Sequence, residues 1–419
     1  MGKLKVCGGN TLRGSLRVQG AKNSVLPILA ASILVRGESL LRNCPNLKDV
    51  DAAIAILRYL GCQVTRDEGD VHIDSAAIVR RDIPDELMRE MRSSVIFLGA
   101  ILGRCGEAVL SMPGGCELGP RPINLHLDAL RVLGAEIEEH GGNIICRAER
   151  LVGASVHLAS PSVGATENAM LAAVSAVGET IITNAAREPE IVDLQNFLKA
   201  AGARIHGAGT PTITIQGGGM MRPVTHRIMP DRIVAATYLS AVAFAGGRLE
   251  LEDIVPGHVT AVTDALRAAG CEITVREDNL QLVSTGRLRA ISPVMTGPYP
   301  GFPTDAQPCL LTACVKSKGT TVFMENIFQN RYRYVEELRR MGADIKLEGR
   351  VAVVTGVERL TGAAVSAADL RGGAALVVAA LGAAGETVIS EAEHIDRGYD
   401  GIAETLGALG ADVERTDDV

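Results

Sequence analysis

Apolar positions in this chain fall into two helical patterns, and both return six times. One is amphipathic and ends in L-x-x-x-G-[AC]-x-[IV]. Its copies are LRYLGCQV from Leu57, LRVLGAEI from Leu130, LKAAGARI from Leu198, LRAAGCEI from Leu266, LRRMGADI from Leu338 and LGALGADV from Leu406. The glycines Gly61, Gly134, Gly202, Gly270, Gly342 and Gly410 stand 73, 68, 68, 72 and 68 residues apart. The pattern predicts the end of a helix, a glycine able to take the left-handed C′ conformation, then a strand. Alternating stretches such as IEEHGGNIICRA and IKLEGRVAVVT follow and predict hairpins.

The second pattern is apolar nearly all round. It begins at Lys22 (KNSVLPILAASIL), Arg92 (RSSVIFLGAILG), Ser162 (SVGATENAMLAAV), Asp231 (DRIVAATYLSAVA), Asp305 (DAQPCLLTACV) and Asp369 (DLRGGAALVVAAL). Helices of this kind are buried. Their first turns are polar or charged, so each is expected to leave its N-terminus at a surface. Unpaired N–H groups there favour an anion by roughly 0.3–1 kcal/mol at an exposed end. Taken singly, Ser162, Asp231, Asp305 and Asp369 read as ordinary helix caps. The set of six is what suggests an anion site. Three repeats on each side of a seam near Met229 predict two similar α/β domains joined by short connections.

Composition narrows the class. A chain of 419 residues exceeds one compact core. It is 47% hydrophobic and 22% charged, as globular proteins are. A net charge of −7 argues against nonspecific nucleic-acid binding. The nine cysteines form no CxxC pair, and no His pair has metal-like spacing. Reduced thiols, with neither metal nor organic cofactor, are expected. The start, MGKLKVCGGNTLRG, lacks an apolar signal core, and the run Ala374 to Ala384 is too short to span a bilayer. A cytoplasmic protein with no membrane partner is expected; nothing in the sequence fixes its oligomeric state.

The densest chemical signal is PGGCELGPRP, residues 113–122. Its prolines and glycines forbid a regular helix or central strand and predict a loop. Cys116 sits in that loop, unlike Cys314 in its apolar helix, and Arg121 nearby favours the thiolate. An isolated loop cysteine is more often inert than reactive.

The chain resembles the UDP-N-acetylglucosamine 1-carboxyvinyltransferase family over essentially its whole length. The matching segments, in order, are GAKNSVLPILAASIL, PGGCELGPRPINLH, SVGATENAM, NAAREPEIVD, PDRI, YPGFPTD, FQNRY, ADLR and HIDRGYDGI. The resemblance implies an inside-out α/β barrel of two domains with three repeats each. Domain one would hold 22–229, and domain two 1–21 with 230–419, the active site lying in the interdomain cleft. It implies transfer of an enolpyruvyl group from phosphoenolpyruvate to the sugar 3′-hydroxyl of UDP-N-acetylglucosamine, by addition and elimination.

It also implies residue roles. Lys22, Arg92, Arg121, Arg331, Arg371 and Arg397, with Asn23, would surround phosphoenolpyruvate. Cys116 would be the general acid and Asp305 the acceptor of the hydroxyl proton, with Lys22 and Arg397 catalytic beside them. Asn23, Arg92, Arg121, Pro122, Ile123, Asn124, Leu125, Ser162, Val163, Gly164, Asp305 and Ile327 would contact the sugar nucleotide. Glu188, Glu190, Asp231 and Asp369 would orient these groups. Three positions depart from the family pattern: Asn124 stands for an Asp, Ser160 for a Lys and Gln329 for a Glu. Two rival expectations are an enolpyruvyl transferase with another acceptor and a non-catalytic regulator that binds the sugar nucleotide. The Cys loop and INLH segment oppose the first; Lys22, Cys116, Asp305 and Arg397 together oppose the second.

Overall fold

Both helical patterns become helices, and the repeats close into small sheets around the apolar set. The computed structural model describes residues 2–112 and 123–417. Residues to Gln19 and from Pro230 form one compact unit, here the split unit. Residues from Gly20 to Met229 form the other, the continuous unit. Each has its own apolar core.

The apolar helices are α1 (Lys22–Ala31), α2 (Phe97–Cys105) and α3 (Val163–Ser175) in the continuous unit. The split unit holds α4 (Arg232–Ala245), α5 (Gln307–Cys314) and α6 (Leu370–Leu381), which pack pairwise on one another. Small residues permit the close packing. A Cβ on Gly99 of α2 would lie 2.4 Å from the Asn168 carbonyl of α3.

Two of the six expected starts shift. Arg92–Ile96 winds as a 3₁₀ turn before α2, and α5 begins at Gln307 rather than Asp305. Asp305 is therefore no helix cap; its carboxylate is engaged by arginines. Ser162, Asp231 and Asp369 are caps, as expected. Ser162 Oγ accepts from Ala165 N at 3.3 Å. Asp231 Oδ1 accepts from Ile233 N and Val234 N, and Asp369 Oδ1 from Arg371 N and Gly372 N.

All six C′ glycines adopt positive φ, between 94° and 108°. Each leads into a strand, and the hairpins form where alternation placed them: Glu136–His140 pairs with Asn143–Arg147, and Asp344–Glu348 with Val351–Thr355. Among the described residues there are six four-stranded sheets, each with one parallel pair. In the sheet of Ala364–Ser366 and Glu386–Ser390, the strand next to Glu386–Ser390 is Gly2–Cys7, which also pairs with Asp412–Asp417. Leu12–Arg17 runs parallel to Gly247–Glu252. In the continuous unit Val224–Arg227 returns beside Glu38–Arg42.

No helix among the described residues is long and apolar enough to cross a membrane. The described cysteines are free, and Cys314 is buried with its thiol pushed up to about 12 by desolvation.

Candidate active site

In the split unit Asp231, Asp305, Arg331, Asp369 and Arg371, all singled out by sequence, gather at the N-terminal ends of the core helices. Asp305 precedes α5, with Arg331 Nη2 at 2.7 Å from Oδ1 and Arg371 Nη2 at 3.4 Å from Oδ2. Both arginine side chains are almost wholly buried, at 1% and 4% exposure, whereas that of Asp305 is 27% exposed. Two guanidiniums are thus out of water and face one carboxylate that is not.

Arg331 is held from two further sides. Its Nε donates to Thr304 Oγ1 at 3.1 Å, and its guanidinium lies 4.7 Å from the centre of the Phe328 ring. Arg371 Nη1 donates to Tyr399 Oη at 3.3 Å, and Tyr399 Oη lies 2.8 Å from Thr237 Oγ1. Burial pushes the Tyr399 phenol up, so it stays neutral and available for hydrogen bonding. Burial opposes the charge on Arg371; Tyr399, Asp305 and Asp231 outweigh it and hold the guanidinium protonated. Asp231 and Asp369 combine their cap roles with this setting. Asp369 grips the backbone of Arg371 itself.

Arg397 ends the 3₁₀ turn Ala392–Arg397, which packs on α6, two residues before Tyr399. Ile327 is exposed, its N–H held by Glu325 Oε1 at 2.9 Å.

In the continuous unit Lys22 opens α1 and pairs with Asp49 Oδ2 at 2.7 Å. Both side chains are buried. Asp49 sits in the first turn of the helix Lys48–Leu60, where the helix dipole also favours it. Asn23, the next residue of α1, is half-buried. Ser24 Oγ donates to Asp193 Oδ2; the same carboxylate meets His226 Nε2 at 2.9 Å and Met229 N at 3.2 Å. Asp193 thereby ties α1 to the end of the unit.

Two of the segments expected at the nucleotide come together here. Ile123 and Leu125 are half-buried and Asn124 is exposed at the start of the helix Asn124–Val132, which packs on α3. Ser162, Val163 and Gly164 start α3. A Cβ on Gly164 would lie 2.9 Å from His126 Cε1, so only glycine lets the ring so close. Asn168 Nδ2 donates to His126 Nδ1 at 2.7 Å and to Val95 O at 3.0 Å, while its Oδ1 accepts from Gly99 N at 2.7 Å. Those bonds leave the neutral imidazole proton on Nε2. Burial pushes the His126 pKa down to about 4.

Glu188 immediately precedes the helix Pro189–Ala200 and Glu190 lies in its first turn. Buried Glu167 on α3 faces them. Its carboxyl is held well above the ordinary range, first by desolvation, then by Glu190 and Glu188. Arg92 opens its 3₁₀ turn. Cys116, Arg121 and Pro122 lie outside the described residues. Among the described residues no cluster of His, Cys, Asp or Glu could hold a metal ion.

Sequence patterns did not find Asp49, His126, Glu167, Asn168, Asp193, Thr304, Glu325 or Tyr399 as site residues. The available signal was a polar residue inside an otherwise apolar helix, as at Glu167 and Asn168.

Comparison with known proteins decides the family. A family model described as EPSP synthase (3-phosphoshikimate 1-carboxyvinyltransferase) matches residues 6–406. The protein named UDP-N-acetylglucosamine 1-carboxyvinyltransferase 2 from Caldanaerobacter subterraneus subsp. tengcongensis is 51% identical over 99% of this chain and 100% of its own. The UDP-N-acetylglucosamine 1-carboxyvinyltransferase of Halorhodospira halophila is 46% identical, with full coverage of both chains. This chain belongs to the UDP-N-acetylglucosamine 1-carboxyvinyltransferase family. It is a transferase with the two-domain, six-repeat fold of the enolpyruvyl transferases. The crystal structure of the enolpyruvyl transferase NikO from Streptomyces tendae matches with TM-score 0.89 and 26% identity, covering 99% of each chain. An EPSP synthase from Acinetobacter baumannii shares the fold at TM-score 0.77 and 19% identity, covering 100% of each chain.

Proposed function

We propose that this chain transfers the enolpyruvyl group of phosphoenolpyruvate to the 3′-hydroxyl of UDP-N-acetylglucosamine and releases phosphate, the first committed step of peptidoglycan precursor synthesis, in the cytoplasm. One observation supports this above the rest. Asp305 is a partly exposed carboxylate held by two buried guanidiniums. That arrangement offers a proton acceptor beside positive charge fixed in place before any substrate arrives.

In the reaction the 3′-oxygen attacks C2 of phosphoenolpyruvate and its proton passes to Asp305. The Cys116 thiol gives C3 a proton, forming a tetrahedral ketal. C3 then loses a proton and the C2–O bond to phosphate breaks, giving the enolpyruvyl ether. Lys22, Arg92, Arg121, Arg331, Arg371 and Arg397 hold the carboxylate and phosphate, and their attraction strengthens as charge develops. Asn23 and Ile327 meet the sugar. Arg121 to Leu125 and Ser162 to Gly164 meet uridine and diphosphate, the latter at the cap of α3 where N–H groups point outward. Glu188, Glu190, Asp231 and Asp369 orient the reacting groups. Residues 22–229 and residues 1–21 with 230–419 act as two domains. The nucleotide binds first.

Phosphate release measured with phosphoenolpyruvate and UDP-N-acetylglucosamine tests the proposal, beside Cys116→Ser. The intact protein releases phosphate and the variant does not. Fosfomycin adds its mass to the first and not to the second. Release with a shikimate phosphate instead, or nucleotide binding without release, would overturn it.

A further inference from the structure

Glu325 ends the strand Thr320–Met324 and is buried, at 1% exposure, among groups that all donate to it. Thr304 Oγ1 lies 3.0 Å from each of its carboxylate oxygens. Ile327 N and Phe328 N each donate to Oε1 at 2.9 Å. The turn is anchored from its other side, where Asn326 N and Nδ2 donate to Thr296 Oγ1 and Thr296 O. Glu325 therefore fixes three things at once: the Thr304 hydroxyl and the backbones of Ile327 and Phe328.

Two of these flank Arg331. A threonine hydroxyl has one proton to give. Because that proton goes to Glu325, the Oγ1 lone pairs are turned outward, and the Arg331 Nε–H meets an acceptor rather than a second donor. The same guanidinium rests against Phe328 and delivers Nη2 to Asp305. We propose that Glu325 is the positioning residue that sets the direction of the hydrogen-bond chain Arg331 to Thr304 to Glu325, and so aims Arg331 at Asp305. The proposal rests on the function given above only in assigning Asp305 to proton transfer; the chain itself is independent of substrate. Glu325 touches no reacting atom.

The chain has a polarity that one substitution weakens. In Glu325→Gln the amide oxygen still receives the backbone N–H groups of residues 327 and 328. The amide nitrogen then faces Thr304 and donates to it. The hydroxyl must then accept from that nitrogen as well as from Arg331, and its one remaining acceptor there is the amide oxygen, 3.0 Å away and already taken by two N–H groups, so the link to Arg331 weakens and the guanidinium moves. Thr304→Val removes the middle link and leaves the turn alone. Thr304→Ser keeps the link.

The experiment combines steady-state phosphate release with nitrogen-15 NMR of the arginine Nε–H groups in the full chain. Arg331→Lys assigns the Arg331 signal by its loss. In the parent and Thr304→Ser that proton exchanges slowly; in Thr304→Val and Glu325→Gln it exchanges fast or shifts. In the same two variants kcat falls by about 10²-fold while the KM for UDP-N-acetylglucosamine stays within about threefold. The double variant is no worse than either single one, because both break one chain. Thr304→Ser keeps near-parental turnover. An Arg331 signal unchanged in Glu325→Gln, or losses that multiply in the double variant, would overturn the proposal. If Glu325→Gln does not fold, a Thr304→Val protein with parental turnover and an unchanged Arg331 signal overturns it alone. A parent that releases no phosphate counts against the proposed function, and the Arg331 signal still decides the role of Glu325.

Discussion

Burial favours the neutral form of both His126 and Glu167, and they make stability depend on pH in opposite senses. His126 has its pKa lowered from 6.5 to about 4. Between those values the unfolded chain takes a proton that the folded chain refuses. Its contribution is present above 6.5 and is lost as pH falls toward 4, amounting to roughly 3 kcal/mol in full. Glu167 is raised above 4.5, so the folded chain keeps a proton that the unfolded chain releases. Its contribution is present below 4.5 and is lost as pH rises through the folded value. Glu167→Gln should therefore melt higher than the parent at neutral pH, with the gain shrinking toward pH 4.5. His126→Gln should lose part of the acid sensitivity between 6.5 and 4. Thermal melts across that range check both. These partners escaped the sequence for a physical reason. Asp49 stands in the first turn of an amphipathic helix, where a carboxylate normally complements the dipole in solvent. Only its contact with Lys22, from a different helix, makes it part of a site. Glu325 likewise looks like any acidic residue at a strand end until Thr304 is brought to it.

Helix ends show how local and tertiary effects divide. The six C′ glycines were legible because a left-handed residue after an amphipathic helix is a local requirement. The start at Asp305 was not, because side-chain pairing there outweighs the capping preference that an isolated segment would express. Asp305 is drawn to Arg331 and Arg371 instead of to N–H groups. Two glycines separate backbone strain from packing. Gly342 has φ 99° and open space where a Cβ would stand. Gly342→Ala should cost about 1–2 kcal/mol through strain alone and leave turnover unchanged. Gly99 lacks the unusual φ, but its Cβ would collide with the Asn168 carbonyl at 2.4 Å. Gly99→Ala should cost about 3 kcal/mol or more and, by moving Asn168, raise the His126 pKa. Denaturant midpoints measure the costs, and histidine NMR titration reads the second effect.

At the scale of the whole chain, the six-fold pattern gives the repeats and their cores, and it leaves strand partners open. A stretch such as KLKVC alternates as a strand does, but nothing local says which sheet receives it. The structure places Gly2–Cys7 where the other sheets carry the returning strand of a hairpin, and Leu12–Arg17 as a parallel neighbour of Gly247–Glu252. Deleting residues 2–17 should thus open two sheets of the split unit and spare the continuous unit, whose closing strand is its own Val224–Arg227. Hydrogen exchange read by mass spectrometry should lose protection from residue 230 onward and keep it between 20 and 229.

The position of Gly2–Cys7 also bears on how the chain is made. At about 5–20 residues per second, the continuous unit can close on the ribosome soon after its last strand emerges. Gly2–Cys7 has no complete sheet to join until Glu386–Ser390 and Asp412–Asp417 exist. It stays unpaired for on the order of tens of seconds. Nascent chains therefore pass through a long interval with one half finished and an alternating, edge-like segment still unpaired, which is the interval in which a chaperone would find them.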